Sequence, residues 1–417
     1  MAAVQQLSAA YPLGSRLNEA GALEIGGCDA RELAREFGTP CYVVAEDDLR
    51  ARARAFRDAF RARTDRFDVL FATKAFPCTA VMRVLREEGL GCDVASAGEL
   101  HLALRAGFDP ARIVLHGNAK SEAELRAALG AGVGHVVLDN DDEIDRLERL
   151  AAGRAQRVLL RVTPGVRGRT HDFISTGQAD SKFGFSIADA RAAIERLRGS
   201  DALALAGLHM HIGSQLLELA PFRTAVEAIA ELGDFDAYNL GGGLGVAYTD
   251  ERVPPLEDYV ATKADAVRDV FGPGKLVLDE PGRALTAAST VTLYTVESVK
   301  RNVSTWVAVD GGMSDNLRPM LYGARYEAQV ADRFGGATPC RLAGKHCESS
   351  DVLVDEVLLD DPRRGDLIVT PTTGAYGYAL ANNYNGVPRP PVVFVKDGDA
   401  RLVVRRETLE DLVARDL

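Results

Sequence analysis

Three kinds of residue in this chain stand where they could do covalent or proton chemistry. Lys74 closes the apolar run "FATKAF" (71–76). A lysine there is costly to bury unless its charge is lost or paired. It reads either as a lysine snorkelling at a rim or as an amine of lowered pKa that can form a Schiff base. Glu280 and Arg283 lie in "DEPGRALT" (279–286), where they could form a surface ion pair. Alternatively, the carboxylate could keep the ring nitrogen of a pyridine cofactor protonated, making that ring a strong electron sink suited to decarboxylation. Cys347 and Glu348 sit in "GKHCESSD" (344–351), which by itself fits a metal site, half a disulfide, a surface turn or a working thiol.

Two further stretches extend the set. Gly241, Gly242 and Gly243 in "NLGGGLGV" (239–246) could bring backbone N–H groups close to a phosphate, or could simply make a flexible turn. Ser214, in "HIGS" (211–214), offers a hydroxyl to the same phosphate. His209 and His211 alternate in "GLHMHIG" (207–213), so both face one side of a strand. An H-x-H pair invites zinc, but zinc needs further His or Asp ligands at other strand ends. The chain has 7 histidines, and the neighbouring strand ends supply Arg161, glycines and Glu280 with Arg283. His211 packed flat on an aromatic cofactor fits better, and no metal is expected.

These residues recur at the ends of candidate strands. "DVLFAT" (68–73), "CDVAS" (92–96), "RIVLHG" (112–117), "HVVLDN" (135–140), "VLLRVTP" (158–164), "GLHMHIG" (207–213), "AYNLGGG" (237–243) and "KLVLDEPG" (275–282) are short and apolar. Between them lie capped segments with three- and four-residue apolar spacing, such as "SAGELHLALRAG", "SEAELRAALGAG" and "DDEIDRLERLAAG". Alternation of strand and helix implies a parallel sheet. Eight strands over roughly 220 residues suit a closed (β/α)8 barrel, whose active site lies at the carboxyl ends of the strands. An open doubly wound sheet is the competing architecture. Beyond about residue 288 the texture turns β-rich ("TVTLYTVESVKR", "DVLVDEVLL", "PPVVFVKDGDARLVVRRE"), and "ALEIGG" (22–27) reads as another strand. The expected fold is therefore α/β: a TIM-like barrel at 45–287, followed by a mainly β C-terminal domain that includes N-terminal residues, 1–44 plus 288–417.

The 417 residues carry 49 Lys and Arg against 60 Asp and Glu, a net charge of −11, which argues against a nucleic-acid or membrane footprint. The N-terminus has no basic head before an apolar run, and no stretch of about 18 apolar residues occurs. The 6 cysteines are scattered without C-x-x-C pairs and read as reduced thiols. A cytoplasmic location is expected.

"FATKAF", "HMHIGSQ", "NLGGGLG", "EPGR", "DGGMSDNLRPMLYGARY", "GKHCESSD" and "TGAYGYALANNYN" occur here in the order found in fold-type III pyridoxal-phosphate decarboxylases, the family with an alanine racemase-like barrel. The resemblance spans about residues 20 to 410 and is strongest to the branch acting on diaminopimelate. It implies a pyridoxal 5'-phosphate cofactor bound through Lys74. His211 would stack on the ring, Glu280 would pair with its nitrogen, and Arg161 would lie behind it near the phenolic oxygen. Ser214, Gly241, Gly242, Gly243 and Tyr376 would surround the phosphate, with Arg283 also close to the cofactor. Substrate would meet Arg283, Arg318, Tyr322, Glu348 and Tyr376, and Cys347 would return a proton after carbon dioxide leaves. The implied assembly is a homodimer with active sites at the interface.

The implied reaction converts meso-2,6-diaminopimelate to L-lysine and CO2, the last step of lysine biosynthesis. The distal end of that substrate is zwitterionic. Arginines suit its carboxylate, and Glu348 suits its ammonium. Arg318 could instead be structural, bonding backbone carbonyls. Two departures from the family pattern stand out. Ser350 replaces an expected glycine, which would strain the turn by roughly 1 kcal/mol if the backbone there is left-handed. The stretch between "ESVKRN" and "TWVAVDGG" is also short, suggesting a trimmed hairpin. These leave open a related decarboxylase acting on another D-amino acid, on L-ornithine or lysine, or on a carrier-bound amino acid. A non-catalytic cofactor-binding protein and a metal-dependent barrel hydrolase are more distant readings.

Overall fold

A computed structural model describes residues 7–151, 153, 155–166 and 181–417. Residues 1–6, which open both the segment read for a leader and the expected second domain, lie outside the described residues, as does residue 152 in the segment 141–153. The chain divides into two compact units: 52–245 with 253–284, and 1–51 with 246–252 and 285–417.

All eight candidate strands form in the first unit, although the sixth starts earlier than expected and stops at His209, which leaves His211 beyond it: Phe67–Ala72, Gly91–Val94, Ile113–Leu115, His135–Leu138, Gln156–Thr163, Leu203–His209, Ala237–Asn239 and Leu276–Asp279. Each pairs in parallel with the next, and the eighth pairs with the first through Val277 opposite Phe67, so the sheet closes on itself. The open-sheet alternative is thereby excluded. Leu70, Val114, Val137, Leu159, Ala237 and Leu278 come from six different strands yet pack together. Only the lumen of a closed barrel lets them meet, and it is filled rather than hollow.

Intervening helices start where a side chain can satisfy free backbone N–H groups. Ser96 accepts from Glu99 N, and Ser121 forms a reciprocal capping box with Glu124. The next helix, Asp141–Leu150, is capped by Asn140, a residue the sequence reading placed in the preceding strand. That strand ends at Leu138 because the Asn140 side chain accepts from Glu143 N and turns the chain into the helix.

The other unit is built on a β-sheet. Its strand order runs Val352–Leu359, Thr338–Ala343, Thr305–Val309, Thr290–Arg301, Cys41–Ala45, Val392–Lys396 and Asp399–Val404. Cys41–Ala45 is buried along its whole length between Thr290–Arg301 and Val392–Lys396, so an N-terminal strand completes the C-terminal sheet. Leu23 and Ile25, from the strand predicted at 22–27, join its core with Val43, Val291 and Val393. Thr290–Arg301 and Thr305–Val309 are linked by three residues, with Asn302 N donating to Ser304 O, so the hairpin is short as the sequence suggested. Among the described residues, no helix is long and apolar enough to cross a membrane.

Candidate active site

The carboxyl ends of the barrel strands gather the chemistry. Lys74 lies in a single helical turn, Thr73–Ala75, immediately after the first strand. It is exposed, so the burial cost weighed from sequence does not arise. Its charge acts on two neighbours, Asp93 from the end of the second strand and His211. Burial, helped by the charge of Glu280 and opposed by Lys74, pushes the Asp93 carboxyl up to about 7. His211 is half-buried, and desolvation together with Lys74 and Arg161 holds it well below the usual imidazole range, hence neutral.

Glu280 is the most tightly held group. It accepts from His116 Nε2 at 2.8 Å, Asn239 Nδ2 at 2.5 Å and His209 Nε2 at 3.3 Å. Burial alone would raise its pKa, but these partners outweigh burial and keep it well below the ordinary carboxylate range. His209 is pushed down to about 3 by burial, so it donates as a neutral imidazole. Among the described residues its Nδ1 has no hydrogen-bond partner, consistent with a bare lone pair there. The Asn239 amide cannot be reversed, because its Oδ1 accepts from Gly241 N at 3.0 Å.

This arrangement corrects one premise of the zinc argument. The third strand does supply a further histidine, and His116, His209 and Glu280 present ligand atoms within 4.8 Å of one another. His211, the other half of the H-x-H pair, is not in the cluster. An amide N–H already fills one oxygen of Glu280, and both imidazoles donate to it, so the donor chemistry is that of a locked acid. Glu280 and Arg283 likewise do not form the surface pair considered for them. Both are buried, and Arg283 instead reaches Ser214 Oγ at 3.0 Å through Nη2.

The glycine run is tightly shaped. Gly241 and Gly243 have φ of +57° and +122°, and a Cβ on Gly242 would meet the Glu280 carbonyl at 2.2 Å. No other residue fits at Gly242 without moving the end of the eighth strand. One expectation needs correction: the Gly241 N–H is used by Asn239, which leaves Gly242 and Gly243 to offer amides. Arg161 is buried at the end of the fifth strand, stacked 4.2 Å over Phe183 and 3.9 Å from Asp139 Oδ1. An accessible amine, a locked carboxylate, a neutral imidazole and a glycine cradle that any Cβ would fill are a donor set that fits pyridoxal phosphate.

The β unit carries the remaining residues. Arg318 opens the short helix Arg318–Tyr322 and is 5 % exposed. It stacks 4.8 Å from the Tyr248 ring and donates to Tyr326 Oη at 2.5 Å, while its Nε has no hydrogen-bond partner among the described residues. Its partners are tyrosines, not the backbone carbonyls of the structural alternative. Tyr322 is half-buried, and Tyr376 takes a left-handed φ of +67° just before the helix Gly377–Leu380.

Cys347 and Glu348 are exposed on a turn whose base is buried. Asp351 holds that base, accepting from Met313 N at 2.7 Å, His346 N at 2.9 Å and His346 Nδ1 at 2.8 Å. Asn385 Oδ1 accepts from Cys347 N at 2.9 Å. Ser350 is not among the residues with positive φ, so the feared strain at that position is absent.

Several residues here escaped the sequence reading. His116 lies at the end of the candidate strand 112–117, and the rule that picked out Lys74 would have found it, whereas Asp93 sits near the start of the candidate strand 92–96. Asn239 precedes the glycine run directly. Asn385 had no local signal, because it meets Cys347 only through folding.

Residues 46–287 match the family model described as "Pyridoxal-dependent decarboxylase, pyridoxal binding domain". The chain belongs to the pyridoxal-dependent decarboxylases. Within that family it is 50% identical over 423 residues to the diaminopimelate decarboxylase of Actinosynnema pretiosum subsp. auranticum, covering 98% of this chain and 95% of the relative. Identity to the diaminopimelate decarboxylase of Bacillus subtilis (strain 168) is 47% over 426 residues, covering 97% of each. The crystal structure of diaminopimelate decarboxylase from Helicobacter pylori complexed with L-lysine superposes with a TM-score of 0.88 at 32% identity, covering 93% of this chain and 98% of that one. The cofactor of this pyridoxal-dependent decarboxylase is pyridoxal 5'-phosphate.

Proposed function

We propose that this chain decarboxylates meso-2,6-diaminopimelate to L-lysine and CO2, the last step of lysine biosynthesis. The observation that carries the reading is Glu280, an ionised carboxylate held by three N–H donors at the barrel's catalytic end. Pyridoxal phosphate, when bound, supplies an electron sink for the bond that loses carbon dioxide. Glu280 would serve that sink by favouring a protonated ring nitrogen beside its negative charge. Lys74 presents the amine that would anchor the cofactor, and neutral His211 would cover the ring face without adding charge. Arg161 would stand near the phenolic oxygen of the bound cofactor. Gly242, Gly243, Ser214 and Tyr376 take the phosphate, with Gly241 shaping the loop.

Recognition of the substrate's distal end falls to Arg318 and Arg283 for its carboxylate and Glu348 for its ammonium, with Tyr322 and Tyr376 beside them. The Nε–H of buried Arg318 has no partner among the described residues, which suits a carboxylate acceptor. Cys347, exposed on its anchored turn, delivers the proton that replaces the lost carboxylate. In this reading residues 45–287 are the cofactor-binding domain, and 1–44 with 288–417 form a second domain that places Cys347 in a partner subunit's barrel. The enzyme is a cytoplasmic homodimer. Ser350 motivated a specialised substrate, and its ordinary backbone weakens that alternative.

Carbon dioxide release should be measured with meso-, LL- and DD-diaminopimelate, D-lysine and D-ornithine. We expect turnover of the meso isomer alone. Failure of that isomer with turnover of another would move the chain to a different substrate. Borohydride should fix the cofactor to Lys74, and Cys347→Ala should lower kcat by about 10²-fold or more while leaving the cofactor spectrum intact.

A further inference from the structure

Lys263 is fully buried in the barrel, on the helix Leu256–Phe271 between the seventh and eighth strands. A lysine with no exposed surface is unusual and must be paired. Its Nζ lies 2.5 Å from Asp279 Oδ1, 2.5 Å from Tyr259 Oη, 2.8 Å from Gly241 O and 3.3 Å from Gly242 O. Tyr259 gives its own proton to Asp279 at 3.0 Å, so its oxygen is left to accept from the lysine. Every neighbour of Nζ is therefore an acceptor, which calls for the three hydrogens of an ammonium. The rings of Phe222 and Tyr259 flank it at 4.7 and 4.4 Å and keep water out.

Two of those acceptors belong to the glycine run. In a trans peptide, the carbonyl of one residue and the N–H of the next point in opposite directions. Drawing the carbonyls of Gly241 and Gly242 toward Lys263 therefore turns the amides of Gly242 and Gly243 away from it. Glu280 N, donating to Gly241 O at 3.1 Å, pins the first of these peptides from a second side. Gly242 is buried, yet neither its amide nor that of Gly243 has a hydrogen-bond partner among the described residues. Buried donors without partners are rare and point to something that binds there.

We propose that Lys263 is a positioning residue that holds the Gly241–Gly242 carbonyls so that the amides of Gly242 and Gly243 stand ready as an anion cradle for the cofactor's phosphate. The inference rests on the pyridoxal-phosphate reading of the site. It assigns Lys263 no contact with substrate or with the reacting atoms. Its effect should be felt by the phosphate and not by the pyridine ring.

The test compares two ligands that differ only in that group. Cofactor-stripped protein is titrated with pyridoxal phosphate and with pyridoxal, in the wild type, in Lys263→Met and in Lys263→Met combined with Asp279→Asn. The double variant removes both charges at once, so no uncompensated carboxylate is left buried. We expect pyridoxal-phosphate affinity to fall by about tenfold or more in both variants, while pyridoxal affinity changes by less than about twofold. Equal weakening of both ligands, or no weakening, overturns the proposal in favour of a merely structural lysine. Should neither variant fold, a crystal structure of the wild-type holoenzyme decides. A phosphate on the Gly242 and Gly243 amides, with Lys263 still on the two carbonyls, supports the proposal, and a phosphate seated elsewhere overturns it. A wild-type protein that takes up no pyridoxal phosphate removes the functional reading and this inference together, a result distinct from normal uptake with unchanged discrimination in the variants.

Discussion

At the scale of single residues, the site works by controlling which groups carry charge. Glu280 is ionised despite burial because His116, His209 and Asn239 all donate to it. His209 and His211 stay neutral because burial makes an imidazolium costly there. His116→Leu removes one donor while keeping bulk. It should raise the pKa of Glu280, move the acid limb of kcat/KM to higher pH, and lower kcat/KM by about tenfold, the worth of one charge-assisted hydrogen bond. His116→Gln can still donate, so its pH–rate profile should lie closer to wild type. A profile unchanged in both variants would remove His116 from the network that tunes the acid. Asp93 lies near the start of its candidate strand, whereas His116 was legible in sequence by position, since it ends an apolar strand. Their convergence on Lys74 and Glu280 was not, because it depends on how the strands close.

At the scale of elements, the candidate functional side chains sit near the ends of regular elements. Lys74, His116 and Glu280 come just after the ends of three strands, Asp93, Arg161 and His209 lie within the last three residues of three others, and Cys347 lies on a turn between Thr338–Ala343 and Val352–Leu359. That turn is held by Asp351 and Asn385 and not by an unusual backbone at Ser350. Ser350→Gly should therefore relieve nothing. It should cost stability by about 0.5–1 kcal/mol through added freedom in the unfolded chain, which thermal melting can measure. A variant more stable than wild type would mean that the turn is strained after all.

At the scale of the whole molecule, acid groups buried in each unit tie stability to pH. Burial pushes Asp315 up to about 7, against hydrogen bonds from Tyr294 Oη at 2.6 Å and Gly312 N at 2.8 Å. The folded state then holds a proton that the unfolded chain releases near pH 4. Stability is accordingly highest at the acid end of this window and falls as pH rises toward 7, by at most about 1.4 kcal/mol per pH unit from this group. Asp315→Asn should flatten the melting-temperature profile between pH 5 and 8, with the Asp93 share remaining. Assembly offers a separate test of the dimer reading. Lys74→Ala and Cys347→Ala should each have at most about a hundredth of wild-type activity alone. Mixed and allowed to exchange subunits, they should regain about a quarter of wild-type activity, because half the dimers are mixed and each has one intact site. No recovery on exchange would place both residues in one subunit's site.

The sequence by itself determined the barrel, its eight strands and the β domain completed by N-terminal residues, because apolar periodicity and capping are local signals. It also marked Lys74, the glycine run, Glu280 and Cys347, since each interrupts an apolar strand or turn with a residue costly or unusual there. Tertiary structure alone decided the partners. Asn239 spends its amide oxygen on Gly241, His116 meets Glu280 across 164 positions, and Lys263 reaches the glycine carbonyls from a helix whose pattern gave no hint of it. Hydrogen bonds between residues far apart in the chain carry no periodic trace in sequence. They exist only once closure of the barrel has brought their elements within about 3 Å.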